Sequence, residues 1–292
     1  MTASERNRLW YFSWLVAIFC LLGRISAAGS TDYPWLERDD PRHSLIRRIA
    51  PPPGGFFRPD LAGDDFGRWL RELPLKPDGW PVHLFDGRLK RRQDIHHAVV
   101  DIDVGRQDLQ QCADAIIRLR AEYLWTRGLL DRIRFDFLNG FTASYPRWRD
   151  GFRYRVRGSR VEEFRSEQLD AGYRCFREYL QQVFAYANTT SLRRQMAAPP
   201  GGAAAEVESG DAFISVPGGG GIGHAVLVVD VAIDGRGRKR FLLLQSFMPA
   251  QEIHILKNPG NADGSPWYDA DFGAVLITPE WTFSPADRRR FR

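Results

Sequence analysis

The sequence lacks a dense basic stripe, an internal repeat and, after its N-terminus, any apolar segment long enough to cross a bilayer. The formal net charge of +5 is divided among short, scattered basic runs, so we expect no nucleic-acid partner. The glycine run 218–221 has neither the lysine nor the following helix of a phosphate-binding loop, which argues against nucleotide binding. With 43% hydrophobic and 26% charged residues, the composition is that of a globular protein and excludes collagen, a coiled coil and whole-chain disorder.

The N-terminus has the pattern of a Sec-type signal peptide. Arg6 and Arg8 precede an apolar run over 9–23, which is shorter than a membrane span, and Ser26-Ala27-Ala28 provides small residues for cleavage. We therefore predict a signal peptide over 1–28 and an exported protein, periplasmic or secreted, with no integral membrane association after cleavage. The alternative is an uncleaved N-terminal anchor.

Cysteine is scarce, with only 3 in 292 residues, and signal cleavage removes Cys20. In an oxidising compartment the remaining Cys112 and Cys175 form a disulfide, stay inert, or include one reactive thiol. Cys112 lies on the apolar face of a helix predicted over 109–126, which indicates a buried thiol. Cys175 lies near the start of a helix predicted over 170–187, off its apolar face, where the helix dipole favours thiolate.

The rest of the chain is predicted to be α+β. The Pro-rich segment 29–60 indicates a flexible lead-in, and 61–292 a single domain with an N-terminal α/β part over 61–165 and a second part over 166–292. Asp108 is expected to cap the helix that follows it. Apolar, β-branched runs predict strands at 97–104, 135–141, 154–164 (a hairpin), 212–216, 225–233, 241–246, 252–256 and 274–277.

Two polar residues stand out within the apolar runs. His224 opens one predicted strand and Gln245 lies on the next, and a turn over 234–237 joins the two strands as an antiparallel hairpin. We expect both side chains near one end of this hairpin and on the same side. A buried amide without a partner costs about 1–3 kcal/mol, and an imidazole nitrogen would satisfy it. In nucleophilic sites the base histidine is oriented by such a third group.

The order of residues over about 170–283 resembles the papain-like amidase superfamily, specifically the NlpC-type and CHAP-type cell-wall peptidases. There a cysteine at a helix N-terminus is followed by Gly-Asp before a strand, a histidine that opens the next strand, and a polar group on the strand after. The corresponding residues here are Cys175, Gly210-Asp211, His224 and Gln245. The resemblance implies a helix packed on a small antiparallel sheet or barrel. It also implies Cys175 as nucleophile, His224 as base and Gln245 as orienting group, without a cofactor or metal.

From about 66 to 292 the chain is also similar to a bacterial family of exported proteins, domain of unknown function 4846, which brings no established activity. In that pattern the segment around Cys112 is more characteristic than that around Cys175. The similar segments are 75–79, 101–105, 108–115, 119–124, 223–226, 248–251, 253–259 and 279–281.

Two functional hypotheses follow from the sequence. In the first, the protein is an exported cysteine hydrolase that cleaves peptide or amide bonds in the cell envelope, with envelope peptide or peptidoglycan as substrate. In the second, the same papain-like fold is catalytically inactive and serves as an envelope binding or scaffolding module. A free Cys175 thiol beside His224 would favour the enzyme, and a Cys112–Cys175 disulfide would favour the module. His97, Asp101 and Asp103 share a strand face that we expect to be solvated rather than metal-binding.

Overall fold

The computed structural model of the protein describes residues 33–37, 40–199, 206–216, 218 and 221–292, and the structural statements below concern these residues. The predicted signal peptide over 1–28 lies outside them.

The described residues form an α+β fold in which every paired strand is antiparallel. None of the described helices combines the length and the apolar composition that crossing a membrane requires. The helices are α1 Leu45–Arg48, α2 Phe66–Arg71, α3 Cys112–Thr126, α4 Tyr145–Arg149, α5 Tyr173–Tyr186 and α6 Thr189–Gln195. The strands are β1 His96–Val99, β2 Arg134–Asp136, β3 Thr142–Ser144, β4 Phe152–Arg157, β5 Arg160–Arg165, β6 Ala212–Ser215, β7 His224–Ile233, β8 Lys239–Gln245, β9 His254–Leu256, β10 Trp267–Asp269, β11 Leu276–Ile277, β12 Thr282–Phe283 and β13 Arg288–Arg289.

The central sheet has seven strands, of which six follow the order β1-β9-β8-β7-β6-β13 and β10 pairs with β8. Among the described residues it stays open rather than closing into the small barrel that the sequence analysis allowed. Three two-stranded sheets, β2–β3, β4–β5 and β11–β12, accompany it. The hairpin predicted over 154–164 is confirmed as β4–β5, whereas the single strand expected over 135–141 is a turn between two short strands. Its Phe137 and Phe141 are joined across that turn by a backbone hydrogen bond.

Strand β7 is buried on both faces, which explains why its sequence is apolar at every position except His224 and Asp230. One face of the sheet, with Leu227 and Val229, shares a hydrophobic cluster with α2, α3 and α5. The other face, with Val226 and Val228, is covered by C-terminal segments that include Phe283. His224 and Gln245 lie at one end of this second face, because side chains alternate along a strand.

Part of the segment predicted to be a flexible lead-in is packed on the core. Leu45 is fully buried and Ile49 nearly so, and the N–H of Leu45 donates to the carbonyl of Leu73 next to α2. Apolar side chains in a Pro-rich stretch were the missed signal, since Leu45 and Ile49 stand one helical turn apart.

The helix predicted over 109–126 begins at Cys112, and Asp108 does not cap it. The Asp108 carboxylate instead accepts from the N–H of Ala250 at 2.6 Å, which ties the segment before α3 to the loop after β8. Gln111 precedes the helix, and Asp114 accepts from its N–H at 3.2 Å. The later start moves Cys112 from the second turn to the first residue of the helix.

A buried ionic cluster anchors the middle of β7. Asp230 has no solvent exposure, and its two carboxylate oxygens accept from Arg58 Nε at 2.6 Å and Arg71 Nε at 2.7 Å. The ladder between β7 and β8 is irregular at this position. The cluster joins the lead-in and α2 to the sheet.

Candidate functional site

The hairpin predicted to carry His224 and Gln245 is confirmed. Strands β7 and β8 are adjacent and antiparallel, and the turn between them contains Gly237 at φ +81°, a conformation that glycine adopts without strain. His224 Nε2 lies 2.9 Å from Gln245 Oε1, so the two side chains are on the same side and form a hydrogen bond. The amide therefore has the imidazole partner that its burial requires.

Glu280 determines which way the Gln245 amide points. Its carboxylate accepts from Gln245 Nε2 at 2.7 Å and from Lys90 Nζ at 2.7 Å. Because a carboxylate only accepts, the amide nitrogen must face Glu280 and the amide oxygen must face His224. His224 therefore carries its proton on Nε2 and donates it to Gln245. Its Nδ1 keeps a lone pair and makes no hydrogen bond to any described residue.

Aromatic rings enclose the His224 imidazole, which is 2% exposed. Ring centroids of Phe247, Trp281 and Phe283 lie 4.8, 5.5 and 6.0 Å from that of His224. Burial lowers the pKa of His224 to about 4, although the hydrogen bond to Gln245 and the charge of Glu280 oppose this shift. At neutral pH the imidazole is uncharged, and its unprotonated Nδ1 is a weaker base than that of an exposed histidine.

The residue before His224 has to be a glycine. A Cβ at Gly223 would lie 2.5 Å from the carbonyl oxygen of Ser215 and 2.5 Å from Thr189 Oγ1, both closer than real Cβ contacts. The start of β7 can therefore approach β6 and α6 closely only without a side chain at this position. The approach fixes where the His224 ring projects.

Two further histidines continue the polar chain along the sheet. His254 is fully buried, accepts from Gln245 Nε2 at 3.4 Å and donates from Nδ1 to the carbonyl of Glu252 at 2.8 Å. Burial lowers the pKa of His254 to about 3. The ring of His96 lies 6.1 Å from that of His254, and its buried Nδ1 has no partner among the described residues.

Cys112 is the cysteine that contacts the start of β7. It is the first residue of α3, and the N–H of Ala225, which directly follows His224, donates to its Sγ. Burial and the nearby Asp114 raise the pKa of Cys112 to about 11, although the N–H groups of Ala225 and Ala113 oppose the rise. The thiol is partly buried and uncharged at neutral pH.

The structure contradicts the expected position of Cys175. Its side chain is 2% exposed and belongs to the hydrophobic core, because α4 packs against the side of α5 that the apolar periodicity left free. Burial raises the pKa of Cys175, and the charge of Asp170 adds a smaller rise. Its interactions are with Trp148, Arg153 and residues of its own segment, and it makes no hydrogen bond to His224 in the described structure.

Both described cysteines are free thiols, so the disulfide that the sequence left open is absent from this structure. Within the described ranges, no group of three or more His, Cys, Asp and Glu side chains is placed to bind one metal ion. Of the strand face considered for a metal, Asp103 is bound instead by Arg118 at 3.2 Å and Arg177 at 2.7 Å.

Sequence reasoning missed Glu280, Lys90 and the part played by His254. His254 is buried and bonded to Gln245. The available signal was the segment 279–281, in which an acidic residue precedes a tryptophan within the similar family segments. Lys90 belongs to one of the short basic runs, yet its side chain is only 7% exposed.

Comparisons with known proteins bear on the whole chain. The family model described as domain of unknown function 4846 matches residues 45–290. No curated protein matches the chain, and no solved structure matches it. The NlpC-type resemblance therefore receives no support from these comparisons. The family match covers most of the chain, from α1 to β13, so the chain belongs to the family domain of unknown function 4846.

Proposed function

We propose that this protein is a cysteine hydrolase of the cell envelope in which Cys112 is the nucleophile, His224 the base and Gln245 the orienting group. The observation that carries the proposal is the hydrogen-bonded series Glu280–Gln245–His224, which leaves an unprotonated Nδ1 at the end of the strand that contacts Cys112. The order cysteine, histidine, polar residue along the chain remains that of the papain-like resemblance, with Cys112 in place of Cys175.

His224 has one nitrogen that can take up a proton during the reaction. A neutral imidazole with one nitrogen protonated and hydrogen-bonded can accept a proton only at the other nitrogen, here Nδ1. The imidazolium that forms is stabilised by the Gln245 oxygen and, beyond it, by the charge of Glu280. This arrangement fulfils the role of the third member of a catalytic triad, which holds the histidine tautomer and orientation.

Cys112 occupies the position in α3 where a thiolate is best stabilised. The first turn of a helix presents free N–H groups and the positive end of the helix dipole. Burial keeps the thiol protonated in the resting protein, since it raises the pKa to about 11. Attack therefore requires His224 to remove the proton as the new bond forms, as an adjacent base does for a serine nucleophile.

The reaction follows from these roles. Sγ of Cys112 attacks the carbonyl carbon of an amide while its proton passes to Nδ1 of His224. Backbone N–H groups of the first turn of α3 stabilise the negative charge on the carbonyl oxygen. The C–N bond then breaks as His224 returns the proton to the leaving amine. Water, deprotonated by His224, hydrolyses the thioester and regenerates the thiol.

The substrate class rests on the predicted export of the protein. A signal peptide over 1–28 would deliver the chain to the envelope, where peptide and amide bonds of peptidoglycan are present. Envelope peptide or peptidoglycan fragments are therefore the substrates to test first.

The test measures release of amines from purified peptidoglycan fragments by the wild-type protein and four variants. We expect Cys112→Ser and His224→Ala to lose at least about a thousandfold in rate, as removal of a nucleophile or base does. Gln245→Ala should lose less, because the group acts through His224. Cys175→Ala is the matched control: it deletes the other described thiol and should retain the activity.

A second measurement does not depend on the choice of substrate. The rate of Cys112 alkylation by iodoacetamide should change in His224→Ala and stay unchanged in Cys175→Ala. Hydrolysis that survives Cys112→Ser would overturn the assignment of the nucleophile. If no hydrolysis is found and His224→Ala leaves the rate of Cys112 alkylation unchanged, the proposal that the protein is a cysteine hydrolase is wrong.

The catalytically inactive binding module is the second candidate, and the elevated pKa of Cys112 favours it. A thiol with a pKa of about 11 reacts slowly at neutral pH, and His224 is enclosed by three aromatic rings. In that case Glu280, Gln245 and His224 serve to hold the end of the sheet. Binding of peptidoglycan fragments without turnover, unaffected by Cys112→Ser, would identify this function.

A further inference from the structure

A cleft of about 440 Å³ on the surface beside α3 is lined by four arginines, Arg120, Arg132, Arg134 and Arg292. We call it the arginine cleft. Phe135 and Phe291 contribute apolar surface to it, and none of the described residues that line it is an Asp or Glu. Like charges gathered without counter-charges raise the free energy of the folded protein, and a bound anion removes that repulsion.

Arg120 is held in place without a carboxylate partner. Its Cζ lies 4.9 Å from the ring centroid of Phe66, 5.2 Å from that of Tyr123 and 5.1 Å from that of Phe291. Within the described structure Arg120 forms no ion pair and no hydrogen bond. Burial lowers the pKa of Arg120 to about 10, and the charge of Arg132 contributes to the lowering, whereas Tyr123 and the charge of Asp65 oppose it. The guanidinium is thus oriented by aromatic faces while its donors stay available.

The neighbouring Arg132 and Arg134 form no ion pair with an Asp or Glu side chain of the described residues. Arg132 Nη2 donates to the oxygen of Arg292 at 3.5 Å, and Arg134 Nη2 donates to the carbonyl of Asp131 at 2.8 Å. A guanidinium has five N–H donors, so each arginine keeps several for a ligand. Both side chains are exposed, which leaves the mouth of the cleft open.

A second cleft of about 600 Å³ shares Arg120, Arg132 and Phe291 with the first but also contains Asp64 and Asp65. Its side-chain charge is therefore mixed, whereas the charged side chains that line the arginine cleft are all arginines. The difference assigns an anionic ligand to the arginine cleft and not to its neighbour.

We propose that the arginine cleft binds the oxyanion of a small molecule, a carboxylate or a phosphate, with Arg120 as the central donor. Planar guanidinium groups pair with both kinds of oxyanion through two parallel hydrogen bonds. Phe135 and Phe291 contact the apolar part of the ligand. The site is separate from the Cys112 thiol, because Arg120 lies eight residues further along α3, about 12 Å along the helix axis. The proposal does not depend on hydrolase activity.

Isothermal titration of the full chain tests the site, with sodium phosphate in one arm and sodium succinate in the other, at constant ionic strength set with chloride. We expect saturable binding of one equivalent per chain in at least one arm. Binding of phosphate alone identifies a phosphate ligand, binding of succinate alone a carboxylate, and binding of both a general oxyanion site.

Three variants connect the binding to the cleft. Arg134→Gln removes an exposed cleft charge without a foreseeable effect on folding, and Arg120→Gln removes the central donor. Each should raise Kd at least about tenfold, the loss expected for a charge-assisted hydrogen bond. Arg236→Gln, an exposed arginine in the β7–β8 turn, makes the same charge change and should leave Kd unchanged. Absence of saturable binding in both arms would overturn the proposal, as would an equal effect of Arg236→Gln or an unchanged Kd in both cleft variants.

Discussion

Replacing Glu280 by glutamine should both destabilise the protein and change the tautomer of His224. The Glu280 carboxylate accepts from two donors, Gln245 Nε2 and Lys90 Nζ, each at 2.7 Å. A glutamine at this position has one oxygen and one NH₂ group, so it can accept from only one of the two donors in the same geometry. If Lys90 keeps the oxygen, the Gln245 amide has to turn over. His224 Nε2 then faces an NH₂ group, and the imidazole proton moves to Nδ1.

The energetic effect can be worked out from the burial of the pair. The side chain of Lys90 is 7% exposed and that of Glu280 14%, so removal of the negative charge leaves a largely buried ammonium without its partner. Breaking a buried ion pair from one side costs about 3–5 kcal/mol. Lys90 Nζ also lies 5.3 Å from the ring centroid of Phe247 and keeps that attraction. We therefore expect Glu280→Gln to lower the free energy of unfolding by about 3 kcal/mol, the lower end of this range.

Urea unfolding at pH 7 measures the free energy, and long-range ¹⁵N–¹H correlation spectra of the imidazoles report the tautomer. Glu178→Gln is the control, since it makes the same change at an exposed helix pair with Arg174 and should cost less than about 0.5 kcal/mol. The double variant Lys90→Met with Glu280→Gln removes the unpaired ammonium and should recover part of the loss. A cost of Glu280→Gln below about 1 kcal/mol, together with an unchanged Nε2–H tautomer, would refute the reasoning.

Three further measurements test other parts of the structure. Asp230→Ala should lower the free energy of unfolding in urea titrations by about 3–5 kcal/mol, because it leaves two buried guanidinium groups without their carboxylate. Asp269→Ala is the control: it removes an exposed ion pair with an N–O distance of 3.5 Å and should change the free energy of unfolding by about 0.5 kcal/mol or less. His254 has a folded-state pKa of about 3, below its unfolded value of about 6.5, so the stability that it contributes is complete above pH 6.5 and is lost as the pH falls towards 3. The slope of unfolding free energy against pH in that window should therefore be smaller by about 1.4 kcal/mol per pH unit in His254→Gln, and equal slopes would contradict the burial of a neutral ring. Peptide mapping of the native protein after treatment with iodoacetamide at pH 7.5 should show little label on Cys112 or Cys175. The rate of Cys112 labelling should rise about tenfold per pH unit towards its pKa of about 11. Rapid labelling of Cys175 would contradict its position in the core.

The sequence alone was sufficient for the features that depend on neighbours along the chain. The β7–β8 hairpin followed from two apolar runs and the turn at 234–237. That His224 and Gln245 lie on the same side depends in addition on the one-residue register shift between Val228 and Asp230, which no local pattern predicted. Helix α5 followed from its apolar periodicity. For the hairpin and the helix, the interactions that select the element join residues close in sequence, so a local pattern contains the information.

Periodicity failed where a second layer covered a helix. Cys175 was expected off the apolar face of α5, and its position on the helix is as predicted, but α4 packs over that side and buries it. The hydrophobic pattern of a helix predicts which of its faces packs on the main core. It does not predict whether a small element such as α4 packs on the opposite face. The start of α3 was also misplaced: the helix begins at Cys112, and Asp108, expected as its cap, binds the distant N–H of Ala250 instead.

The tertiary structure alone brought Glu280 and Lys90 to Gln245. Lys90 precedes β1, Glu280 lies between β11 and β12, and Gln245 ends β8, so three distant parts of the chain meet at one end of the sheet. No periodic pattern in the sequence joins them. Their meeting depends on the path of the C-terminal segments over the sheet. Burial of the charged Lys90 and Glu280 and of the Gln245 amide lowers stability unless each group is hydrogen-bonded to another.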